Sequence, residues 1–270
     1  AQCLVGSEMC IRDSFFPKLA AFFAQYSNDK GYFMAALVMM LVGLPLMLNG
    51  FMQIKERVPP SPEKVTMRDT FHNLRQNKPL FIVLLSFFFC VFHNVANGIY
   101  IYFFIYNLGD GSLQMAIGIM GIVAAVVCLV APMLTRRMQK RKLFMILCGL
   151  DVAVRVVMWF AGYQHTALLF ILLGLSTLFV MMTNILTSSM IADTIEYAEY
   201  HTHKRCAAIT FSGQTFTGKM SVAVGGGLIG VFLTMIGYVP QAQTQSDGVL
   251  TGLFFGICLL PAIGSLIRLG

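Results

Sequence analysis

Residues 80–105 read LFIVLLSFFFCVFHNVANGIYIYFFI, without one Asp, Glu, Lys or Arg. Crossing the hydrocarbon of a bilayer as a helix takes about 20 consecutive, mainly apolar residues, so this stretch is long enough to span alone. A surface helix of a soluble protein would show a charged face to water, and this one has none. Outward in both directions the pattern recurs. Apolar blocks of similar length lie at approximately 32–53, 113–134, 143–162, 166–191, 209–238 and 249–268. A shorter stretch, FFPKLAAFFAQ at 15–25, reads as the end of a further helix. Composition agrees: 57% of residues are hydrophobic, 11% are charged and the mean hydropathy is +0.74. A soluble domain carries about a quarter charged residues. The fold class is therefore all-α and transmembrane.

The segment just before the quoted span, IKERVPPSPEKVTMRDTFHNLRQNKP at 54–79, is the longest connection in the chain. Pro59, Pro60 and Pro62 cannot continue a helix, and VTMRDTFHNLRQN has the spacing of a short amphipathic helix on the membrane surface. One span precedes this linker and six follow it. The basic residues mark alternate connections. Lys55, Arg57, Lys64, Arg68, Arg75 and Lys78 lie in 54–79; Arg136, Arg137, Lys140, Arg141 and Lys142 lie in 135–142; Lys204 and Arg205 follow the 166–191 block, and Arg268 is near the C-terminus. The intervening connections hold only Lys30. This alternation is the positive-inside pattern, which places the basic connections and the C-terminus in the cytoplasm. It also accounts for the formal charge of +7 through the lipid bilayer as partner, with no nucleic acid.

Cys90, Cys128, Cys148 and Cys258 fall inside apolar spans, where a thiol packs as a small hydrophobe. With Cys206 on the cytoplasmic side and no pair at ligand spacing, neither a disulfide framework nor a metal site is expected. Residues 1–14, AQCLVGSEMCIRDS, fit neither a signal peptide nor a helix. The run LVGSEMCIRD resembles a reading frame of a sequencing adapter. The expectation is a non-native tail, with genuine sequence from Phe15 and a chain that is a truncated piece of a longer protein.

Charged groups at span depth are costly, by about 2.5–3.5 kcal/mol on insertion scales, so each needs a reason. Asp151 and Arg155, four apart in 143–162, share a helix face and are expected to form a structural intramembrane pair. Lys219 lies well inside 209–238 with Ser212, Gln214 and Thr215 nearby and no acid in its own span. It must face a wet cavity, an acidic partner or a substrate. His93, Asn94 and Asn97 form a polar patch read as helix–helix glue, and Asn184 is a single amide in 166–191. At the cytoplasmic end of that block, MIADTIEYAEYHTHKR (190–205) brings Asp193, Glu196 and Glu199 opposite the basic 135–142 loop. The run reads equally as a solvated face or as a salt-bridge network of Asp193 and Glu196 with Arg136, Arg137 and Arg141 that gates the inward side.

The stretch SMIADTIEYAEYHTHKRCAAITFSGQTFTGKMSVAVGG (189–226) resembles the helix 10–helix 11 region of the glycoside–pentoside–hexuronide:cation symporters, a branch of the major facilitator superfamily. The matching elements are A-D-T-x-[DE]-Y-x-E at 192–199 and Q-T-x-x-x-K at 214–219. The resemblance covers about 15–270. It implies that 15–53 is the end of an N-terminal helix bundle (a helix 5 stub and helix 6), 54–79 the central cytoplasmic loop and 80–270 the C-terminal six-helix bundle, helices 7–12. It implies a multi-pass carrier of the cytoplasmic (inner) membrane of a bacterium that takes up a small sugar with Na⁺, H⁺ or Li⁺ by alternating access. Lys219 would line the cavity, with Gln214, Thr215 and Asn184 as further substrate contacts. Asn184 departs from the melibiose-type carriers, which have a tryptophan there. The family's cation ligands lie on helices 1, 2 and 4, outside this sequence, and no other cofactor is implied. A lysophospholipid-type carrier of the same fold and, further off, a membrane-embedded enzyme remain the alternatives.

Overall fold

In the computed structural model, residues 31–53, 77–202, 207–240 and 244–270 are described, together with Leu19, Phe22, Phe23 and Ala242. The adapter-like tail at 1–14, most of the 15–25 stub, the 54–76 linker with its expected surface helix, and the 203–206 turn with Lys204, Arg205 and Cys206 lie outside the described residues. Nine α-helices are described: α1 (Gly31–Gln53), α2 (Lys78–Phe88), α3 (Val91–Asn107), α4 (Gln114–Val127), α5 (Ala131–Arg137), α6 (Lys140–Ala161), α7 (Thr166–Thr202), α8 (Ala207–Met235) and α9 (Asp247–Ile267). Short 3₁₀ turns at Gly111–Leu113 and Cys128–Val130 complete the path, with no strand among the described residues. Taken as continuous, α2 with α3 and α4 with α5 each make one span, so 7 helical segments are long and apolar enough to cross a membrane.

The helix ends follow local chemistry. Asn77 caps α2, its side chain accepting from the Leu80 amide at 3.1 Å while its own amide donates to Thr194 O of α7 at 3.0 Å. Past the ends of α3, α6 and α8 the chain turns through Gly109, Gly162 and Gly237 at φ of 73°, 71° and 77°, a left-handed conformation that only glycine adopts cheaply. Helix α7 is longer than its apolar block. It runs on to Thr202 through the acidic segment, because Ile191, Ile195 and Ala198 recur at helical spacing and stay buried.

Helix α3 packs on α8 and α9, α9 on α6, α6 on α7, and α7 on α8, closing a ring; α2 joins α7 and α8, and α4 lies against α7. Helix α1 is mostly exposed, with Gly31 and Ala35 its buried residues. Two apolar clusters fill the ring. One is aromatic-rich: Ile99, Phe103 and Phe104 of α3, Met158 of α6, Leu173 of α7 and Phe254 and Ile257 of α9. Phe254 stacks on Trp159 at 5.3 Å and on Phe103 at 5.8 Å. The other gathers Leu143, Phe144 and Leu147 of α6 with Met182 and Leu186 of α7. Along α6 the residues between the two clusters are Asp151 and Arg155.

The third break in the regular structure is the turn at Phe89–Cys90 between α2 and α3. It frees the Phe88 carbonyl from the helix ladder, and Ser221 of α8 donates to that oxygen at 3.2 Å. Asn94 donates in turn to Ser221 Oγ at 3.1 Å. Two glycines let neighbouring backbones approach. A Cβ on Gly264 of α9 would stand 2.8 Å from Phe92 Cβ and 3.1 Å from Phe89 O, and one on Gly225 of α8 would stand 3.1 Å from Asn94 Cβ. Small residues at such crossings allow the close packing on which helix association in lipid depends.

Candidate functional site

Three polar groups punctuate the bundle. The deepest is built on Asp151, which is 1% exposed. Its Oδ1 accepts from Arg155 Nε at 3.0 Å and from Ser176 Oγ of α7 at 2.6 Å. Its Oδ2 accepts from Ser265 Oγ of α9 at 2.6 Å and lies 3.3 Å from His93 Nε2 of α3. Arg155 is also buried and donates through Nη1 to Ile257 O of α9 at 2.9 Å. One carboxylate therefore ties four helices together. The i,i+4 spacing brings Arg155 to it, and each other partner comes from a different span.

Ser265, His93 and Asp151 are a hydrolase's residue types, but the connectivity is wrong for one. A nucleophilic serine gives its proton to the imidazole while the carboxylate holds the other ring nitrogen. Here Ser265 donates straight to the carboxylate, and both groups face the same nitrogen, Nε2. His93 Nδ1 has no hydrogen-bond partner among the described residues. The layer is a tether between helices rather than a reaction centre.

The second group is on α8. The four residues expected to contact substrate are split between two faces. Gln214 is buried between α7 and α8, its Nε2 donating to Ser188 Oγ at 3.1 Å, and Ser188 donates to Asn184 O. Asn184 is half-buried, its Oδ1 accepting from Cys90 Sγ at 3.6 Å. Thr215 and Lys219 are on the opposite, exposed side, with Thr215 donating to Phe211 O of its own helix. Besides Thr215 and Ser212, that side carries Phe211, Phe216, Met220 and Val222, all exposed. Lys219 is near the middle of α8, about 18 Å along the helix from Ala207 at 1.5 Å per residue.

The third group is on the face reached by the ends of α5, α6 and α7. Lys140 Nζ donates to both Asp193 oxygens at 2.7 Å. Arg136, Arg137 and Arg141, grouped with Asp193 and Glu196 from sequence, are in no ion pair among the described residues, nor is Glu196. The Lys140–Asp193 pair is half-exposed, and pairs of that kind contribute little. Asp193→Asn should change the thermal stability of the purified chain by less than about 1 kcal/mol, read as the midpoint shift in detergent. A larger loss would mean that the pair supports the bundle.

Sequence reasoning did not assemble the Asp151 layer beyond its local pair. It also named no partner for Arg268, whose side chain is 6% exposed, lies 5.1 Å over the Phe144 ring and reaches Thr187 Oγ1 at 3.5 Å. Its place at the C-terminal cap of α9 explains a buried cation there, because unpaired carbonyls and the negative end of the helix dipole favour one.

Residues 9–269 match the family described as MFS/sugar transport protein, a range that begins within the 1–14 tail. Among individual proteins, the chain is 29% identical to a Bacillus subtilis protein named uncharacterized symporter YnaJ, over 92% of this chain and 54% of that one. It is 27% identical to the isoprimeverose transporter of Lactiplantibacillus pentosus over 88% and 50%. It is 30% identical to a putative sulfoquinovose importer of Salmonella typhimurium over 87% and 50%. The chain thus spans about half the length of the curated relatives it matches.

Proposed function

The chain belongs to the MFS/sugar transport protein family, and we propose that it is the C-terminal half of a sugar–cation symporter of the bacterial cytoplasmic membrane. The bundle α2–α9 would be one of two helical halves that rock about a shared midplane site, with α1 as the last helix of the other half and the C-terminus in the cytoplasm. The coupling Na⁺, H⁺ or Li⁺ would bind in that other half. The names of the transporters it resembles, for isoprimeverose and sulfoquinovose, support a sugar as cargo.

The observation that carries this reading is Lys219. A lysine in the middle of an exposed, mainly apolar helix face costs about 2.5–3.5 kcal/mol against lipid, and no described residue offers it a partner. A water-filled cavity between two halves removes that cost, since the ammonium stays hydrated until a sugar hydroxyl or a carboxylate takes its place. Thr215 shares its face one turn away. Gln214 would shape the cavity wall from behind by holding α8 to Ser188 of α7, and Asn184 by its contact with Cys90 at the α2–α3 turn.

The test uses the complete reading frame recovered from the source DNA and reconstituted in liposomes. Lys219→Ala should lower counterflow of a transported sugar by at least about tenfold, the loss of one charge-assisted hydrogen bond of 1.5–3 kcal/mol. Its thermal midpoint should move by no more than about 0.5 kcal/mol, as expected for an exposed side chain. Full transport by that variant would remove Lys219 from the site. If no glycoside were carried while a lysophospholipid was, the sugar reading would fall in favour of a lipid carrier.

A further inference from the structure

The hairpin between α5 and α6 crowds Arg136, Arg137, Lys140, Arg141 and Lys142 into positions 136–142. Among the described residues, Lys140 alone of these five has a counter-ion, Asp193. The other four are exposed and in no ion pair among the described residues. Orientation in a membrane accounts for some positive charge here, but the local placement is unfavourable. The first turn of α6 holds three cations and no acid, and Gln139 makes no side-chain hydrogen bond at its N-cap. Unsatisfied amides and the positive end of the helix dipole thus add to the cations instead of offsetting them. An anion at this point would relieve both.

The adjoining surface says which kind of anion. Leu129, Val130 and Met133 are 71%, 47% and 67% exposed. Helical spacing stacks them along one side of the span below Arg136 and Arg137. A cationic rim above an apolar wall fits a molecule with a negative head and a hydrocarbon tail. We infer that the α5–α6 hairpin is a binding site for an anionic glycerophospholipid. Its phosphate would be held by the Arg136, Arg137 and Arg141 guanidiniums, which pair with phosphate oxygens in fork geometry, and an acyl chain would lie on Leu129, Val130 and Met133. The multi-pass membrane fold is enough for this inference, which does not depend on the cargo or on Lys219.

Native mass spectrometry of the detergent-purified chain, titrated with dioleoyl-phosphatidylglycerol or dioleoyl-phosphatidylcholine, tests it. One phosphatidylglycerol should be retained with at least about tenfold higher affinity than phosphatidylcholine, given roughly 1 kcal/mol per basic residue near an anionic lipid surface. The variant R136Q/R137Q/R141Q/K142Q should lose that preference. Removing the same number of charges from the linker, K55Q/R57Q/K64Q/R68Q, should leave it intact. Equal losses in both variants, or retention by the first, would overturn the site and leave only diffuse attraction. Should the hairpin variant not fold, photoactivatable phosphatidylglycerol on the unaltered chain decides the matter. Cross-links within 129–142 support the site, and cross-links spread over the other spans overturn it.

Discussion

Asp151→Asn lowers the stability of the bundle by about 3–5 kcal/mol, read as a lowered thermal midpoint and a reduced yield of folded protein. A buried ion pair contributes little net stability, because two desolvated charges offset most of their attraction. Removing one partner is different, since the other charge is left buried and uncompensated. Here the abandoned group would be Arg155, 3% exposed and held by Ile257 O in the aromatic-rich half of the core. The same change weakens the anchors for Ser176, Ser265 and His93 on three other helices. The double variant D151N/R155M removes both charges and should recover most of the lost stability. Thermal denaturation in detergent of both variants and of R155M alone closes the cycle. If the double variant is no more stable than D151N, the serine and histidine contacts matter more than the charge pair.

Gly264→Val has the second large effect. Its Cβ would stand 2.8 Å from Phe92 Cβ and 3.1 Å from the Phe89 carbonyl. The second neighbour is backbone and cannot swing aside. Helix α9 would have to withdraw from the α2–α3 turn, and with it would go the packing of Phe254 and Ile257. Overpacking of this kind costs about 1–3 kcal/mol. Gly226→Val on α8 is the control, because nothing lies within 4 Å of its Cβ position, and it should be near neutral. Equal melting points for the two valine variants would show that the crossing of α9 over the turn is looser than the backbone distances indicate.

Most of the architecture was legible in the sequence because its signal is one-dimensional. Span length, the absence of charge and the alternation of basic connections are local patterns, and the helices begin and end near where those patterns change. Arg155 meets Asp151 through spacing on one helix. His93 was legible as a bridge between helices but not its partner Asp151, and Ser176 and Ser265 were beyond reach, since a lone serine in an apolar span reads the same whether it faces a carboxylate or lipid. Only the packing of α3, α7 and α9 against α6 tells them apart. The faces of α8 were half legible. Successive helical residues point about 100° apart, so Thr215 shares a side with Lys219 while Gln214 cannot. Which side would meet α7 was not written in α8 itself. The choice of Lys140 over its arginine neighbours as the partner of Asp193 depends in the same way on how α6 is rotated.

Helix α7 has one more consequence. Its 37 residues make a rod about 55 Å long at 1.5 Å per residue, against a hydrocarbon layer of about 30 Å. The surplus turns carry Tyr197 and Tyr200, both exposed, while the membrane-embedded turns carry Ser176 in the Asp151 layer. A rigid rod magnifies angle into displacement, so a tilt too slight to see at Ser176 becomes a shift of ångströms at Tyr200. The protein has an indicator needle built into its longest helix, and its tip lies where a spectroscopic label can be attached without entering the bilayer.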